Sequence, residues 1–572
     1  MTTSSLRASL PEATAVTLLR RYSTDPQLDE AAEKLSNCAR TFKQYLAAIV
    51  VNMLGFVFGT TLGWPAMAGP QLIAALDSAA NKTENATDAF GNWTDLDANA
   101  TAAPDVYRPL PGPPVTLEAM SWIVAVLCIS CVVGTFIFGW LADVLGRKKA
   151  ALIGAVPYVV SWLCVIFADE VAWLFIARVL AGLGGGSSLV VCPLYVGETS
   201  EDSLRGMLGS LFSVMLTAGI LFSFVVGSFA SFRALAIVCL TLPCIFFVAF
   251  LWMPDTPVFL LSRGKVPLAV RSLTWLRGGR VDLVDDELAK LVANMKDGAE
   301  DGGGSGQAPS QLALLRQLVA TRAARRALFI VMFLFTVQQW CGINAILSFT
   351  VQIFREAGST MEPNSATIIV GVLQLVGVCS ASLVVDRLGR RILLVVSYVS
   401  MCSCLLILGG VFYMKATDQD ISSIGWLPVL CLSMYSVTYA LGAGPVPFIL
   451  VSELFPSSVR SLATSISISF CSILAFIVTK FFEDICHNIG QFGAMWVFAG
   501  CSLAGALFAW FGVIETKGKP LAVILHELEG RRPDPRTGPF AGGTKTFNPA
   551  PGDIYYSPPD RAEDREEAEA TM

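Results

Sequence analysis

Long apolar runs separated by short polar turns fill the chain from about residue 45 to residue 514. A bilayer core takes about 20 apolar residues per helix. Twelve runs approach or exceed that length: 45–68, 119–141, 150–168, 171–197, 206–230, 233–253, 327–354, 366–385, 391–413, 427–450, 462–482 and 494–514. The pattern predicts an all-α integral membrane protein. A polar stretch, 254–326, falls after the sixth run and divides the helices into two sets of six.

The polar turns alternate in character. Arg147, Lys148, Lys149, Arg205, Arg387, Arg390, Arg391 and Arg460, with many basic residues of 254–326, occupy every second connection; the others hold few, such as Lys82, Arg108, Arg233 and Lys415. By the positive-inside bias both termini are expected in the cytoplasm. The sequons "NKT", "NAT", "NWT" and "NAT" give glycosylation candidates at Asn81, Asn85, Asn92 and Asn99. They crowd the connection already assigned outside, so the orientation has a second, independent support. The expected organisation is a cytoplasmic tail 1–44, a six-helix bundle 45–253 with a glycosylated extracellular loop 69–118, a cytoplasmic linker 254–326, a second bundle 327–514 and a cytoplasmic tail 515–572. Within the linker, Leu312, Leu315 and Leu318–Val319 space out an amphipathic helix.

Composition agrees with that class. Only 15% of residues are charged and 54% are hydrophobic, against about 25% charged in an ordinary soluble domain. The net charge of −5 argues against a nucleic-acid partner, and much of the acidity sits in "DRAEDREEAEATM". That tail, the polar N-terminal segment and "DGGGSGQAPS" read as disordered or linker sequence. No cleavable signal peptide is expected ahead of the first run. Of 15 cysteines, most lie inside apolar runs, as Cys128, Cys131, Cys164, Cys402 and Cys404 do, and read as small buried hydrophobes. With two histidines no His-rich metal site is expected. Neither a nucleophile elbow nor a phosphate-cradling loop appears, so no catalytic residue and no cofactor is assigned and an enzyme is disfavoured.

The chain repeats itself. "DVLGRKK" (Asp143, Arg147) returns as "DRLGRR" (Asp386, Arg390). "GETSEDSLRG" (Glu198, Arg205) returns as "SELFPSSVRS" (Glu453, Arg460). An acidic turn closes each set of six, "MPDTP" with Asp255 and "IETKG" with Glu515. Three signals in one order predict parallel repeats with a binding site between the halves. Charges at helix ends are costly in lipid unless paired. Pairs joining the two halves are therefore expected to latch the cytoplasmic side, although the basic residues alone would serve topology.

These motifs, with "QQWCGIN", "GPVPFILVSELFPSSVR" and "ETKGKPL", resemble the sugar porter family of the major facilitator superfamily from about Tyr45 to Leu521. Within it the chain looks most like the trehalose and glucose facilitator branch. The resemblance implies a major facilitator fold of twelve transmembrane helices with a cytoplasmic helical loop, a plasma-membrane location, a small-molecule sugar substrate and function as a monomer. It assigns the gating role to the charged residues above. Two motifs depart from the family: Val258 replaces an Arg and Ile514 a Pro.

Polar side chains inside spans are costly and usually functional. Gln338, Gln339 and Asn344 of the seventh run both donate and accept hydrogen bonds, as sugar hydroxyls do. On a continuous helix Gln338 and Asn344 would diverge by about 120°. The resemblance makes all three substrate ligands and adds Gln374, Ser213, Phe448 and Tyr439 as pocket positions; such amides also serve as glue between helices. Ser213 stands where the family usually has Gln, Phe448 where glucose facilitators have Trp, and Cys471–Ser472 where they have Asn-Trp. A roomier pocket suited to a disaccharide such as trehalose is expected. Pro445 and Pro447 should free backbone carbonyls beside it. Gly55, Gly59 and Gly63, and Gly182 and Gly186, read as close-packing faces. The first run lacks Asp, Glu, His and Lys, whereas proton-coupled sugar porters carry an Asp near the position of Thr61. Passive facilitated diffusion is the preferred expectation, ahead of a proton symporter or a non-transporting sugar receptor.

Overall fold

In a computed structural model the described residues are 26–88, 115–279, 284, 285, 287–293, 316, 318–419, 422–519 and 521–529, and their regular structure is helical. Four helices precede the first repeat's close: α1 (Pro26–Asp88), α2 (Leu117–Leu145), α3 (Arg147–Ile166) and α4 (Val171–Thr199). The set ends with α5 (Asp202–Phe229) and α6 (Phe232–Leu251). The linker supplies two short helices, α7 (Pro257–Ser262) and α8 (Val266–Leu276). The second half holds α9 (Arg322–Trp340), α10 (Ile343–Ser348), α11 (Thr350–Ala357), α12 (Pro363–Leu388) and α13 (Arg390–Ala416). It continues with α14 (Leu427–Thr438), a π-helical turn (Tyr439–Ala443), α15 (Val446–Leu454), α16 (Ser457–Phe511) and α17 (Leu521–Glu529).

Eleven of the helices or helix groups are long and apolar enough to cross a membrane. The last is 50 residues long, and Gly490 within it has φ 77 and ψ 161, so the helix is interrupted there. The runs 462–482 and 494–514 lie on either side of that break. Several starts are fixed by hydroxyl caps: Thr116, Ser231 and Thr321 accept from the N–H groups of Ala119, Ala234 and Ala324, satisfying donors that the helix itself cannot. The described part of α1 extends beyond its apolar run at both ends.

The halves are built alike. In the first, α1 packs on α5, α2 and α3 on α4, and α3 on α6; in the second, α9 packs on α16, α12 and α13 on α14, and α13 on α16. Glycine allows the closest approaches. A Cβ on Gly59 would lie 2.0 Å from the Leu216 carbonyl oxygen, and one on Gly182 2.4 Å from that of Leu127, so these faces are packing surfaces as the sequence suggested. Between the halves, α2 meets α16, α5 meets α12, and α1 meets α10 and α11.

Residues 1–25, the sequons at Asn92 and Asn99, Leu312 and Leu315, the stretch 301–310 and the tail 530–572 lie outside the described residues. Asn81 and Asn85 fall on the backbone of α1.

Candidate functional site

The two charged ends are near replicas. In the first half Arg147 Nε and Nη2 donate to Glu198 Oε1 at 3.0 and 2.8 Å, and Nη1 donates to the Ala142 carbonyl at 3.1 Å. In the second, Arg390 Nε and Nη2 donate to Glu453 Oε1 at 3.1 and 2.9 Å, and Nη1 to the Val385 carbonyl at 3.4 Å. Asp255 accepts from the backbone N–H of Lys148 at 3.1 Å, capping the start of α3. Glu515 accepts from the N–H groups of Arg390 and Arg391 at 3.0 and 3.1 Å, capping α13 in the same way. Lys148 Nζ reaches the Leu251 carbonyl, and Arg391 Nη2 reaches that of Trp510.

The glycine of each turn is required twice over. Gly146 and Gly389 have φ of 100 and 86, which L side chains rarely adopt. A Cβ there would lie 2.5 Å from Asp255 Oδ2 and 2.7 Å from Glu515 Oε2 respectively. Burial opposes ionisation of Glu515, but the backbone donors of Lys517, Arg390, Arg391 and Thr516 outweigh it and hold the carboxyl below its ordinary range.

Each of these pairs closes within one half. Where pairs joining the halves were expected, the ion pairs Arg147–Glu198 and Arg390–Glu453 each link side chains of a single repeat. Asp143, largely exposed, pairs with Arg147 at 3.5 Å, one turn away. Arg205 and Arg460 are exposed, and Arg460 Nε donates to the Phe455 carbonyl at 3.3 Å. Asp386 lies on α12, its side chain outside the described residues. The linker braces the first cluster: Arg277 contacts Glu201 at 3.2 Å and Glu287 at 2.5 Å, and Ser272 Oγ donates to the Asp255 carbonyl.

At mid-chain depth the second half gathers the predicted amides. Gln338 and Gln339 are buried at 1% and 5% exposure, and Asn344 is half-buried. The seventh span is not one continuous helix. Gly342 takes a left-handed conformation, φ 86, between α9 and α10, and this break lets Asn344 Nδ2 donate to Gln339 Oε1 at 2.6 Å. Gln339 Nε2 in turn donates to Cys471 Sγ on α16 at 3.0 Å. The 120° divergence of a straight helix does not apply, because the left-handed residue resets the helix direction.

Gln338 answers the prolines. Pro447 has no N–H, so the carbonyl four residues earlier, that of Ala443, loses its helical donor. Gln338 Nε2 donates to the carbonyls of Ala443 and Gly444 at 2.8 and 2.9 Å. Across the same π turn, Ser397 of α13 accepts from the Ala443 N–H at 3.1 Å and donates to the Thr438 carbonyl at 2.6 Å. Sequence reasoning passed over Ser397; its signal is a lone hydroxyl in an apolar run opposite a proline-broken helix. Tyr439 opens the π turn beside Gln338.

The remaining pocket candidates spread around this cluster. Gln374 is 5% exposed with Oε1 unpartnered. It lies between Gly371, whose Cβ direction meets Phe224 of α5, and Gly377, which faces Ala440 of the π turn. Phe448 stands edge-on to Phe335 with ring centroids 4.9 Å apart and is 43% exposed. Ser213 is exposed on α5. Cys471 lies near Cys128 and Cys131 of α2, which places the amide cluster against the seam between the halves.

The first half holds a different polar feature, which the sequence reading also missed. Arg178 of α4 is buried, donates to the carbonyls of Thr61 at 2.6 Å and Ile123 at 3.2 Å, and lies 5.2 Å from the Trp64 ring centroid. Asn52 of α1 is fully buried, and both ends of its amide lack a partner. No group of three or more metal-ligating side chains is found among the described residues.

A family model described as "Sugar (and other) transporter" matches residues 47–527. The chain is 35% identical over 520 residues to the facilitated trehalose transporter Tret1 of Culex quinquefasciatus, covering 91% of this chain and 92% of that one. It is 37% identical over 417 residues to the Tret1 of Aedes aegypti, covering 73% of this chain and half of that longer one. The partially occluded inward open conformation of the xylose transporter XylE from E. coli shares the fold, with TM-score 0.64 and 22% identity over 84% of this chain and 99% of that chain. On the family match and the relative in Culex quinquefasciatus together, the chain belongs to the sugar (and other) transporter family.

Proposed function

We propose that this protein carries a sugar across the plasma membrane by facilitated diffusion, its two halves rocking about the seam where Gln338, Gln339 and Asn344 lie. The observation that carries the reading is the buried amide cluster itself. Three amides at membrane depth are held in one hydrogen-bonded set with Cys471 and the π turn. Polar groups in such a position are costly unless they serve function, and amides exchange partners readily with hydroxyls because they both donate and accept. The relatives' trehalose transport and the small side chains Ser213 and Cys471 favour a disaccharide. Both termini and the charged turns are placed in the cytoplasm by the basic bias, and the Asn81 side outside.

Uncoupled transport is favoured by the surroundings of Arg178. Its guanidinium is met by the Thr61 carbonyl and the Trp64 ring, and the apolar run of α1 offers no carboxylate to take up a proton. The Arg147 and Arg390 clusters, closed within their own halves, make each half a rigid body during the rocking motion.

The test is labelled-sugar counterflow with purified protein in vesicles. Trehalose counterflow that persists when the pH gradient is collapsed supports the reading. Binding without counterflow would identify a receptor, and accumulation driven by an imposed proton gradient would identify a symporter; either result overturns it.

A further inference from the structure

Lys480 is a cation where α16 should be apolar. It is 6% exposed, and its one described ion pair is with Asp484, itself largely exposed, at 3.6 Å one turn on. What else receives the ammonium is an aromatic face: the Trp122 ring centroid lies 5.0 Å away and that of Phe481 5.8 Å. Trp122 is also 6.1 Å from Phe476, the residue one turn before Lys480. The indole therefore sits between two successive turns of α16.

Trp122 belongs to α2 of the first half and Lys480 to α16 of the second, so this contact crosses the seam. It lies at the end remote from the charged turns. Two residues before Trp122, Met120 lines a small cavity together with Ala66 and Gly69 of α1 and Phe349 and Gln352 of the second half. At the charged end, by contrast, the ion pairs described above stay within their halves.

We propose that Trp122, gripped by Phe476 and Lys480, is a clasp that holds the extracellular side of the carrier shut. When the halves part on that side, the indole leaves the ammonium, and water must replace a ring that attracts the cation through its quadrupole. The contact exists only in the outwardly closed state, so it biases the conformational equilibrium by its own strength. The proposal rests on the rocking-halves reading, but its readout needs no sugar.

The experiment places a reporter in the closed seam as Ala66→Cys and measures its labelling by a membrane-impermeant maleimide added outside, in reconstituted vesicles. The same chain without the reporter is subtracted to remove native thiols. Lys480→Met and Trp122→Leu are each expected to speed labelling about threefold to tenfold, between the effects of an exposed and a fully desolvated cation–π contact, since Lys480 is buried but Trp122 is 41% exposed. Trp122→Phe falls between, and Lys480→Arg, which keeps the cation, stays near the unsubstituted rate. In the double variant the effects do not multiply, since either change alone breaks the contact. Unchanged labelling in both single variants overturns the clasp. A rise with Trp122→Leu alone, or effects that multiply in the double variant, overturns it too, by reducing the contact to ordinary packing.

Discussion

The two halves of this protein agree at their charged ends and differ at their centres. Arg147–Glu198 and Arg390–Glu453 match in atoms and in distance to within about 0.1 Å, and the capping carboxylates Asp255 and Glu515 occupy the same station. Halfway along the helices the likeness stops. The second half concentrates Gln338, Gln339, Asn344 and Cys471 around a proline-broken helix, whereas the first packs α1 on α5 through Gly55, Gly59 and Gly63 and buries Arg178 on backbone carbonyls. On the proposed reading, one half carries the solute chemistry and the other supplies a close-packed wall. The ends are alike in their pairs and caps, and only the second half gathers buried amides.

That division can be broken most severely at Gln338. Replacing it by Leu strands the carbonyls of Ala443 and Gly444 and removes a candidate substrate ligand; unsatisfied buried groups cost about 1–3 kcal/mol each. Sugar counterflow is expected to fall at least about tenfold, the equivalent of about 1.4 kcal/mol. Counterflow left intact by Gln338→Leu would remove the second half's claim to the substrate.

The likeness of the ends is tested by a matched pair. Arg147→Ala and Arg390→Ala each leave a mostly buried carboxylate without its partner, which costs about 3 kcal/mol. Thermal unfolding in detergent should show equal losses, and a large inequality would mean that the repeats do not share the load. Gly146→Ala and Gly389→Ala form a second matched pair, each forcing a methyl against a capping carboxylate.

Asn52 sharpens the contrast from the opposite direction. Its fully buried amide lacks a hydrogen-bond partner, so Asn52→Leu is expected to raise stability by about 1–2 kcal/mol while counterflow stays unchanged. Reduced counterflow would draw the first half into the solute path.

The smallest expected effect concerns pH. Because Glu515 ionises below its ordinary range in the folded protein, the stability it contributes is present above that range and is lost as pH falls through the folded value. Glu515→Gln should flatten the acid side of a stability profile without altering the neutral region.

Much of the architecture was legible in the chain. Apolar runs of bilayer length need no tertiary information, since lipid offers no hydrogen bonds and the backbone must satisfy itself in helices. The repeat of charged turns likewise showed in spacing alone. The clustered amides could be singled out because an amide inside a hydrophobic run stands against its background. Ser397 could not, since a single serine in a span looks like any other small residue until a broken helix is packed opposite it.

What the sequence determined by itself is therefore the all-helical membrane class, the repeated charged turns and the family. The tertiary structure decided the partners. The spacing of Arg147, Glu198 and Asp143 along the chain does not say whether an arginine reaches across the seam or folds back, because a side chain chooses among carboxylates by distance in space. In the same way the left-handed turn at Gly342, and not helical periodicity, brought Asn344 to Gln339, and only the crossing of α2 over α16 set Trp122 against Lys480.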